Sequence, residues 1–471
     1  MSSHFLFVQP RYVTHIVAPP LGIGYLASYL EREGHKVSFL DLNLTHLDEQ
    51  EFQKRLREYA PDFVGVSVLC TNPDKLRDTI RAIKDAIDVP VVAGGAQVSA
   101  SPEHTLRYIN ADYAVVGEGE ITLTELVGAL EKGDDYTAIP GLGYLSNDRF
   151  ILNPRRPLIE DLDTLPLPTW DLMPPKDYRI APILSSARAF PIAPILTSRG
   201  CPYDCTFCAG KIVWGRTYRY RSAVSVVDEI ELLQKDFGVK EIFISDDNFN
   251  LKASHASEVC EEILRRKIKI HWACPNGLRV DALTPELLEL MKRAGCHLIG
   301  LGIESGVQEI ADRAKKSLDL SIVARVCDEI DKAGIKAVGF FILGLPGETV
   351  DTIRETVEFA KRLPLKRAWF NILSPYPGSE VFDEFACGKD VDALDWERLT
   401  TVGRDVAQLT SVTPEELDRL QKKAARSFYS RPSILFDVLI SQRPSTVGAF
   451  FRSQFFRGMF RTKQGSEEGS A

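Results

Sequence analysis

The chain has no excess of basic residues: 57 Lys and Arg stand against 65 Asp and Glu, a net charge of −8, with an isoelectric point near 5.7. Nucleic acid is thereby excluded as the expected main partner, because its binders carry basic footprints. No run of about eighteen apolar residues exists, so no helix is expected to span a membrane. The first residues lack a charged stretch followed by a long apolar one, so no secretory signal is expected, and the expected location is cytoplasmic. Cysteine is sparse, nine in 471 residues. Six of them, Cys70, Cys260, Cys274, Cys296, Cys327 and Cys387, are scattered, which suits a reducing compartment better than a disulfide framework. An apolar fraction of 44% with 26% charged residues is ordinary for a soluble globular protein, and the length allows two or three domains.

The other three cysteines fall in the segment Cys201-Pro202-Tyr203-Asp204-Cys205-Thr206-Phe207-Cys208, spaced C-x3-C-x2-C. A [4Fe-4S] cluster normally takes four thiolates, so three leave one iron without a protein ligand. An open iron can chelate a substrate, as a catalytic zinc keeps an open position. The amino and carboxylate groups of S-adenosylmethionine suit that iron. A zinc knuckle would want a fourth ligand close by, and the nearest His or Cys is His255, well downstream.

Strand and helix patterns alternate over residues 1–149. Phe5–Val8, Val37–Leu42, Phe63–Val68, Val91–Ala93 and Tyr113–Val116 read as strands. Gly22–Arg32, Glu49–Tyr59, Asp74–Ala86 and Thr122–Glu131 read as helices. The alternation predicts a parallel, doubly wound, Rossmann-like sheet that binds ligands at its carboxyl ends. Prolines crowd residues 150–192 and predict an ordered linker without helix or central strand. Alternation restarts at residue 193 and continues to 380. Six strands, beginning at Ile195–Ser198 and ending at Arg367–Leu373, predict a partial (β/α)6 barrel with its chemistry at the strand carboxyl ends. Residues 381–471 read as a mostly helical C-terminal region. Within it, 431–463 interleaves arginines with phenylalanines. That pattern fits peripheral contact with a membrane surface or a helix packed on the barrel, and one amphipathic helix does not decide between them.

With C-x3-C-x2-C and Phe207 before its last cysteine, the span from about residue 3 to 380 resembles the cobalamin-binding radical S-adenosylmethionine family, often called class B radical methylases. The resemblance implies a [4Fe-4S] cluster on Cys201, Cys205 and Cys208, with S-adenosylmethionine on the open iron and Phe207 beside it. It implies contacts to that cofactor from Asp246, Asp247 and Asn248 after the second barrel strand, from Arg279 after the third and from Glu304 after the fourth. Backbone near Ile342 and Gly344 after the fifth would face adenine, and Tyr376 beyond the sixth would stand on the substrate side. The residues themselves also allow duller roles: an N-cap for Asp246–Asn248, and an Arg279–Glu304 ion pair.

In the N-terminal part, Leu21 and Gly22, Gly94, Gly95 and Ser99, and Gly117, Glu118, Gly119 and Glu120 follow strand ends where a corrin and its nucleotide tail would lie in the family. The alternative is that these glycines only make tight turns. After the paired glycines relatives often carry Pro-His, and this chain has Ala96-Gln97. The D-x-H-x-x-G signature is absent, and His15 has no Asp two residues before it, so no histidine on cobalt is expected. Tyr12, Val68 and Leu69 would shield the lower face instead.

The resemblance implies methylation of an unactivated carbon of a small substrate, with the aromatic tail hinting at a lipid, tetrapyrrole or other apolar natural product. Relatives also oxidise, cyclise, rearrange or couple without methyl transfer. A methylthiotransferase would need a second cysteine triplet near the N-terminus, where only Cys70 stands. A cobalamin sensor would not need the cluster motif. A flavodoxin- or ferredoxin-type electron donor is implied by analogy with the family alone.

Overall fold

The computed structural model describes residues 2–12, 17–45, 47–69, 73–178, 187–389, 394 and 409–434. Its first sheet has seven strands: β1 (His4–Gln9), β2 (Lys36–Asp41), β3 (Phe63–Ser67), β4 (Val91–Gly94), β5 (Tyr113–Val115), β6 (Leu142–Ser146) and β7 (Arg149–Leu152). Their order is β2-β1-β3-β4-β5-β6-β7. Strands β1 to β5 are parallel. In such an order the chain reverses direction across the sheet between β1 and β3, which opens a crevice at their carboxyl ends. The helices Leu21–Arg32, Glu49–Tyr59 and Pro73–Ala86 make crossovers between parallel strands, and Glu120–Lys132 leads from β5 to the antiparallel β6. Each buries an apolar stripe: Phe52 and Leu56 on the second, Leu123, Leu126 and Val127 on the last.

Two features depart from the sequence expectation. The sheet is mixed, because β6 pairs antiparallel with both β5 and β7. Asn147 and Asp148 link β6 to β7 with φ of 49° and 60°, the left-handed pair that a tight hairpin turn requires. Strand β7 runs into the segment expected to hold no helix or central strand, and it lies there as an edge strand. Between β4 and β5 the chain also forms the short helices Ala96–Ala100 and Pro102–Ile109.

The second sheet is wholly parallel. Its strands are β8 (Ile192–Ile195), β11 (Glu241–Ile244), β12 (His271–Leu278), β13 (Cys296–Glu304), β14 (Lys336–Leu343) and β15 (Arg367–Ile372), adjacent in chain order. Helices Ala223–Asp236, Ala253–Arg265, Pro285–Arg293, Val323–Lys332 and Val350–Arg362 cover it. This is the open six-stranded barrel that the alternation predicts. β8 starts three residues before the expected Ile195 because Pro194, which cannot donate to a ladder, is accommodated on an edge strand pairing with β11 alone. The opposite edge, β15, is covered by the helix Pro414–Tyr429. Gln421 Nε2 donates to Phe370 O at 2.7 Å and Tyr429 Oη to Ala368 O at 3.0 Å, so edge carbonyls find partners.

The linker packs on both domains. Trp170, Met173 and Tyr178 are buried in the barrel core. A Cβ on Gly24, in the first helix, would stand 2.1 Å from Met173 Cε and 2.9 Å from Pro168 Cβ. Among the described residues no helix is long and apolar enough to cross a membrane. Of the aromatic tail, Arg431 lies over the Phe428 ring at 4.0 Å, and residues 435–463 lie outside the described residues.

Candidate functional site

The cysteine segment is the tip of a hairpin. The two-residue strand β9 (Ser198–Arg199) pairs antiparallel with β10 (Arg219–Tyr220), and residues 200–218 close the loop between them. Gly200 has φ +89°, and a Cβ there would stand 2.3 Å from Thr217 O, so only glycine lets the two ends of the loop meet. Thr206 N donates to Ala314 O at 3.1 Å, and Val381 N donates to Thr206 O at 3.0 Å. The Arg279 guanidinium covers the Tyr203 ring at 3.9 Å. The loop is thus tethered to elements after β12, β13 and β15.

Cys201 and Cys205 are half-buried and Cys208 is exposed. Burial pushes the Cys205 thiol up to about 11, against the pull of the Lys316 ammonium. Although Cys208 as a residue is exposed, the protein around its sulfur desolvates the thiolate and raises its pKa, opposed by the Gly210 N–H, which donates to its Sγ at 3.4 Å. A metal displaces the proton from such a thiol. Among the described residues no three His, Cys, Asp or Glu side chains converge on one ion. A four-iron cluster does not ask for that, since its thiolates sit on separate irons. Three mutually coupled thiols, an amide N–H directed at one sulfur and a nearby buried cation form a donor set that fits a cluster.

Lys316 supplies that cation, and no motif in the sequence marks it. Its Nζ lies 2.9 Å from Glu304 Oε1. Burial works against its charge, but Glu304 and Cys205 outweigh it and hold its pKa above the ordinary value. Glu304 takes φ +69° at a register shift in β13, a backbone seldom adopted outside glycine. Arg279 does not meet Glu304, so the alternative ion pair is not formed. Its Nε and Nη2 donate to Asp281 at 2.8 and 2.5 Å, and Nη1 and Nη2 donate to the carbonyls of Lys316 and Ser317. Four of its five donors are engaged, which leaves little of the fork for a carboxylate ligand.

The Asp246–Asn248 segment divides. Asp246 is buried and accepts from Thr197 N at 2.7 Å, Thr197 Oγ1 at 2.5 Å and Ser198 Oγ at 2.6 Å. Burial pushes its pKa up to about 6 against those bonds. It braces the root of the hairpin rather than facing a ligand. Asn248 is buried with Oδ1 unpartnered, and Asp247 is exposed. The N-cap alternative is not realised, because the helix begins later, at Ala253. Phe207 packs against the barrel core.

Ile342 is half-buried at the end of β14, and Gly344 follows with φ +91°. Gly344 N and Leu345 N donate to Glu348 Oε2 at 2.6 and 3.0 Å. Burial pushes Glu348 up to about 7 against these bonds. Tyr376 is half-buried, and its carbonyl accepts from Ser379 Oγ at 2.6 Å. In the same loop a Cβ on Gly378 would meet Ile212 at 2.3 Å and Ala100 at 3.5 Å, so this loop, the cysteine loop and the N-terminal domain converge.

At the crevice of the first sheet, Tyr12 Oη donates to Ser67 O at 2.6 Å, Val68 is buried beneath and Leu69 is 42% exposed. Gly95 has φ +110°, and a Cβ would stand 2.8 Å from Val68 O. Gly94 has only ordinary contacts. Leu21 is half-buried, and Gly22 is exposed with open space at its Cβ position. Ser99 Oγ accepts from Gly117 N at 2.9 Å.

Glu118 and Glu120 differ from expectation. Both are buried, and both are occupied by the barrel. Arg199 Nη1 lies 2.9 Å from Glu118 and Nη2 2.7 Å from Glu120. Arg219 Nη1 reaches both Glu118 oxygens, at 2.8 and 2.9 Å. Three of their four oxygens are bonded within the protein, and Glu120 Oε2 is buried without a partner. A Cβ on Gly117 would meet only an ordinary contact, Val213 O at 3.9 Å, whereas one on Gly119 would stand 3.1 Å from Leu26 Cδ2. The sequence reading missed Arg199 and Arg219 because an arginine beside a metal motif carries no signal of its partner.

Residues 195–360 match the model of the radical SAM superfamily, and residues 13–127 match that of the B12 binding domain. An uncharacterised methyltransferase of Pyrococcus horikoshii is 33% identical over 451 residues, 95% of each chain. The anaerobic magnesium-protoporphyrin IX monomethyl ester cyclase of Rubrivivax gelatinosus is 30% identical over 90% of this chain and 77% of its own. Among solved structures, the radical S-adenosylmethionine methyltransferase TsrM of Kitasatospora setae shares the fold, with a TM-score of 0.69 at 24% identity, covering 89% of this chain and 82% of its own.

Proposed function

The chain belongs to the family of cobalamin-dependent radical S-adenosylmethionine enzymes, and from that premise we propose that it methylates a carbon of a small organic substrate held between its two domains. One observation carries the reading. The cysteine loop is built into the seam with the B12-binding domain: its short helix Lys211–Trp214 lies beside Ala96–Ala100, and Arg199 at its root is held by Glu118 and Glu120. That contact supports two cofactor sites facing one seam.

The cofactors are a [4Fe-4S] cluster, S-adenosylmethionine and cobalamin, and when bound they supply a carbon radical and a transferable methyl group. Cys201, Cys205 and Cys208 would hold the cluster through three thiolates, and S-adenosylmethionine would take the remaining iron. Lys316 offsets the negative charge of the thiolates, and Glu304 holds Lys316 in place. Asn248 offers its unpartnered Oδ1 as an acceptor to the amino group of S-adenosylmethionine. Arg279, with most of its donors engaged, positions the loop through Tyr203. Backbone at Ile342 and Gly344 lines the adenine side, and Tyr376 borders the substrate space. Tyr12, Val68, Leu69 and Gly95 would line the corrin site. A flavodoxin- or ferredoxin-type protein is the proposed electron source, and the substrate is of the apolar class suggested by the tail.

The test is an anaerobic incubation of the reconstituted protein with methyl-deuterated S-adenosylmethionine and a panel of tetrapyrroles, isoprenoid lipids and indole compounds. A product carrying the deuterated methyl group supports the reading. The cyclase relative favours a second reading, oxidative cyclisation without methyl transfer. An unmethylated, oxidised product would select it.

A further inference from the structure

The hairpin that carries the cysteine loop has an electrostatic problem that only the other domain solves. Arg199 and Arg219 are directly paired across β9 and β10. Like charges at opposed positions of an antiparallel pair repel. Both side chains are nearly sealed from water, at 2% and 5% exposure, so solvent does not screen them. Neutralisation comes from Glu118, in the loop after β5, and Glu120, which opens the helix Glu120–Lys132, each 4% exposed. The guanidinium of Arg199 spans both carboxylates with separate nitrogens and lies 4.6 Å from the Trp214 ring and 5.0 Å from that of Tyr25. Arg219 also donates to Ile159 O at 2.7 Å and Trp214 O at 2.9 Å, and Glu118 Oε2 accepts from Ile159 N at 2.8 Å. The linker is therefore drawn into the same knot. Burying two cations and two anions at a domain seam is a poor source of cohesion compared with apolar packing, but its directional bonds fix one geometry.

We propose that Arg199, Arg219, Glu118 and Glu120 form a latch whose role is to set the position of the cysteine loop relative to the B12-binding domain, and with it the separation of the two cofactors. The proposal rests on the two-cofactor reading above. These are positioning residues: Arg199 lies two residues before Cys201 and acts through the loop.

The experiment uses the full chain as wild type, Glu118→Gln and Glu120→Gln, the second variant leaving the Glu118–Arg219 bonds in place should the first fold poorly. Hydrogen exchange of the cofactor-free protein is read first. Exchange faster by about tenfold across 198–220, with 241–265 unchanged, is expected of a released latch; unchanged exchange in both variants overturns the proposal whatever the cofactors do. In reconstituted protein, pulsed electron paramagnetic resonance reads the separation of the cobalt(II) and reduced-cluster spins. The expected result is a broadened or lengthened separation with iron and corrin contents retained, and 5′-deoxyadenosine released without its share of methylated product. A separation as narrow as that of wild type overturns the latch. A wild type that binds no corrin overturns the two-cofactor reading instead, and the exchange data then still judge the latch.

Discussion

The Lys316 ammonium stands 2.9 Å from the Glu304 carboxylate, at 13% and 10% side-chain exposure, with the Cys205 thiol within electrostatic reach of both. Removing one partner of a buried pair leaves the other charge uncompensated, at a cost of about 3 kcal/mol. Lys316→Met is accordingly expected to lower stability by that amount in urea unfolding, and adding Glu304→Gln to recover most of it. Equal stabilities for the single and double variants would show that the pair is not coupled.

Gly302 makes room for this pair. A Cβ there would stand 2.7 Å from Glu304 Oε1 and 2.8 Å from Lys316 Nζ, the mobile ends of two side chains. Gly302→Ala is expected to keep the fold, with unfolding free energy within about 1 kcal/mol of wild type. The displaced pair is expected to slow formation of 5′-deoxyadenosine about tenfold, equivalent to about 1.4 kcal/mol in the barrier. An unaltered rate would remove Lys316 and Glu304 from the working site.

Glu348 gives a pH signature. Burial raises its folded pKa from 4.5 to about 7. A raised pKa contributes stability that is complete below about 4.5 and is lost as the pH rises through about 7. Glu348→Gln keeps an acceptor for Gly344 N and Leu345 N but never ionises. The difference in stability between wild type and variant should therefore move by about 3 kcal/mol across that window, against wild type as the pH rises. Chemical denaturation at several pH values measures it, and parallel curves would contradict it.

Two glycines of the B12-binding domain should separate folding from ligand contact. Gly95→Ala forces a side chain onto a φ of +110° and against Val68 O, at a cost of about 1–3 kcal/mol, with loss of corrin. Gly22 lies in a helix with open space around its Cβ position. Gly22→Ala should raise the stability of the cofactor-free protein by up to about 1 kcal/mol. If Gly22 borders the corrin, it should nevertheless weaken corrin binding, measured by equilibrium titration. Unchanged binding would place Gly22 outside that site.

Much of the architecture was legible in the sequence because parallel strands and their crossover helices leave strong periodic traces. The helix Glu49–Tyr59 has the bounds that its pattern gives, and the helix expected at Gly22–Arg32 starts one residue earlier, at Leu21. The hairpin β6–β7 was missed because Asn147-Asp148 is a short turn signal beside a proline-rich segment that argues for a linker. Cys201, Cys205 and Cys208 could be singled out because their ligand chemistry is encoded in local spacing. Glu118 and Glu120 were also noticed, but their partners lie 81 and 79 residues away at Arg199, and no local pattern reports such a pairing. The same holds for Lys316, which reaches Glu304 by way of an intervening helix, and for Arg279, whose donors go to Asp281 and two carbonyls rather than to a ligand.

The most direct test is joint quantification of iron, corrin, 5′-deoxyadenosine and S-adenosylhomocysteine after anaerobic reconstitution, beside Cys205→Ala. Wild type should retain about four irons and one corrin per chain and release both nucleoside products when a substrate is present. Cys205→Ala should keep its corrin, lose its iron and release neither product. Wild type that retains iron and cleaves S-adenosylmethionine but never binds corrin would contradict the central claim that one seam serves two cofactors.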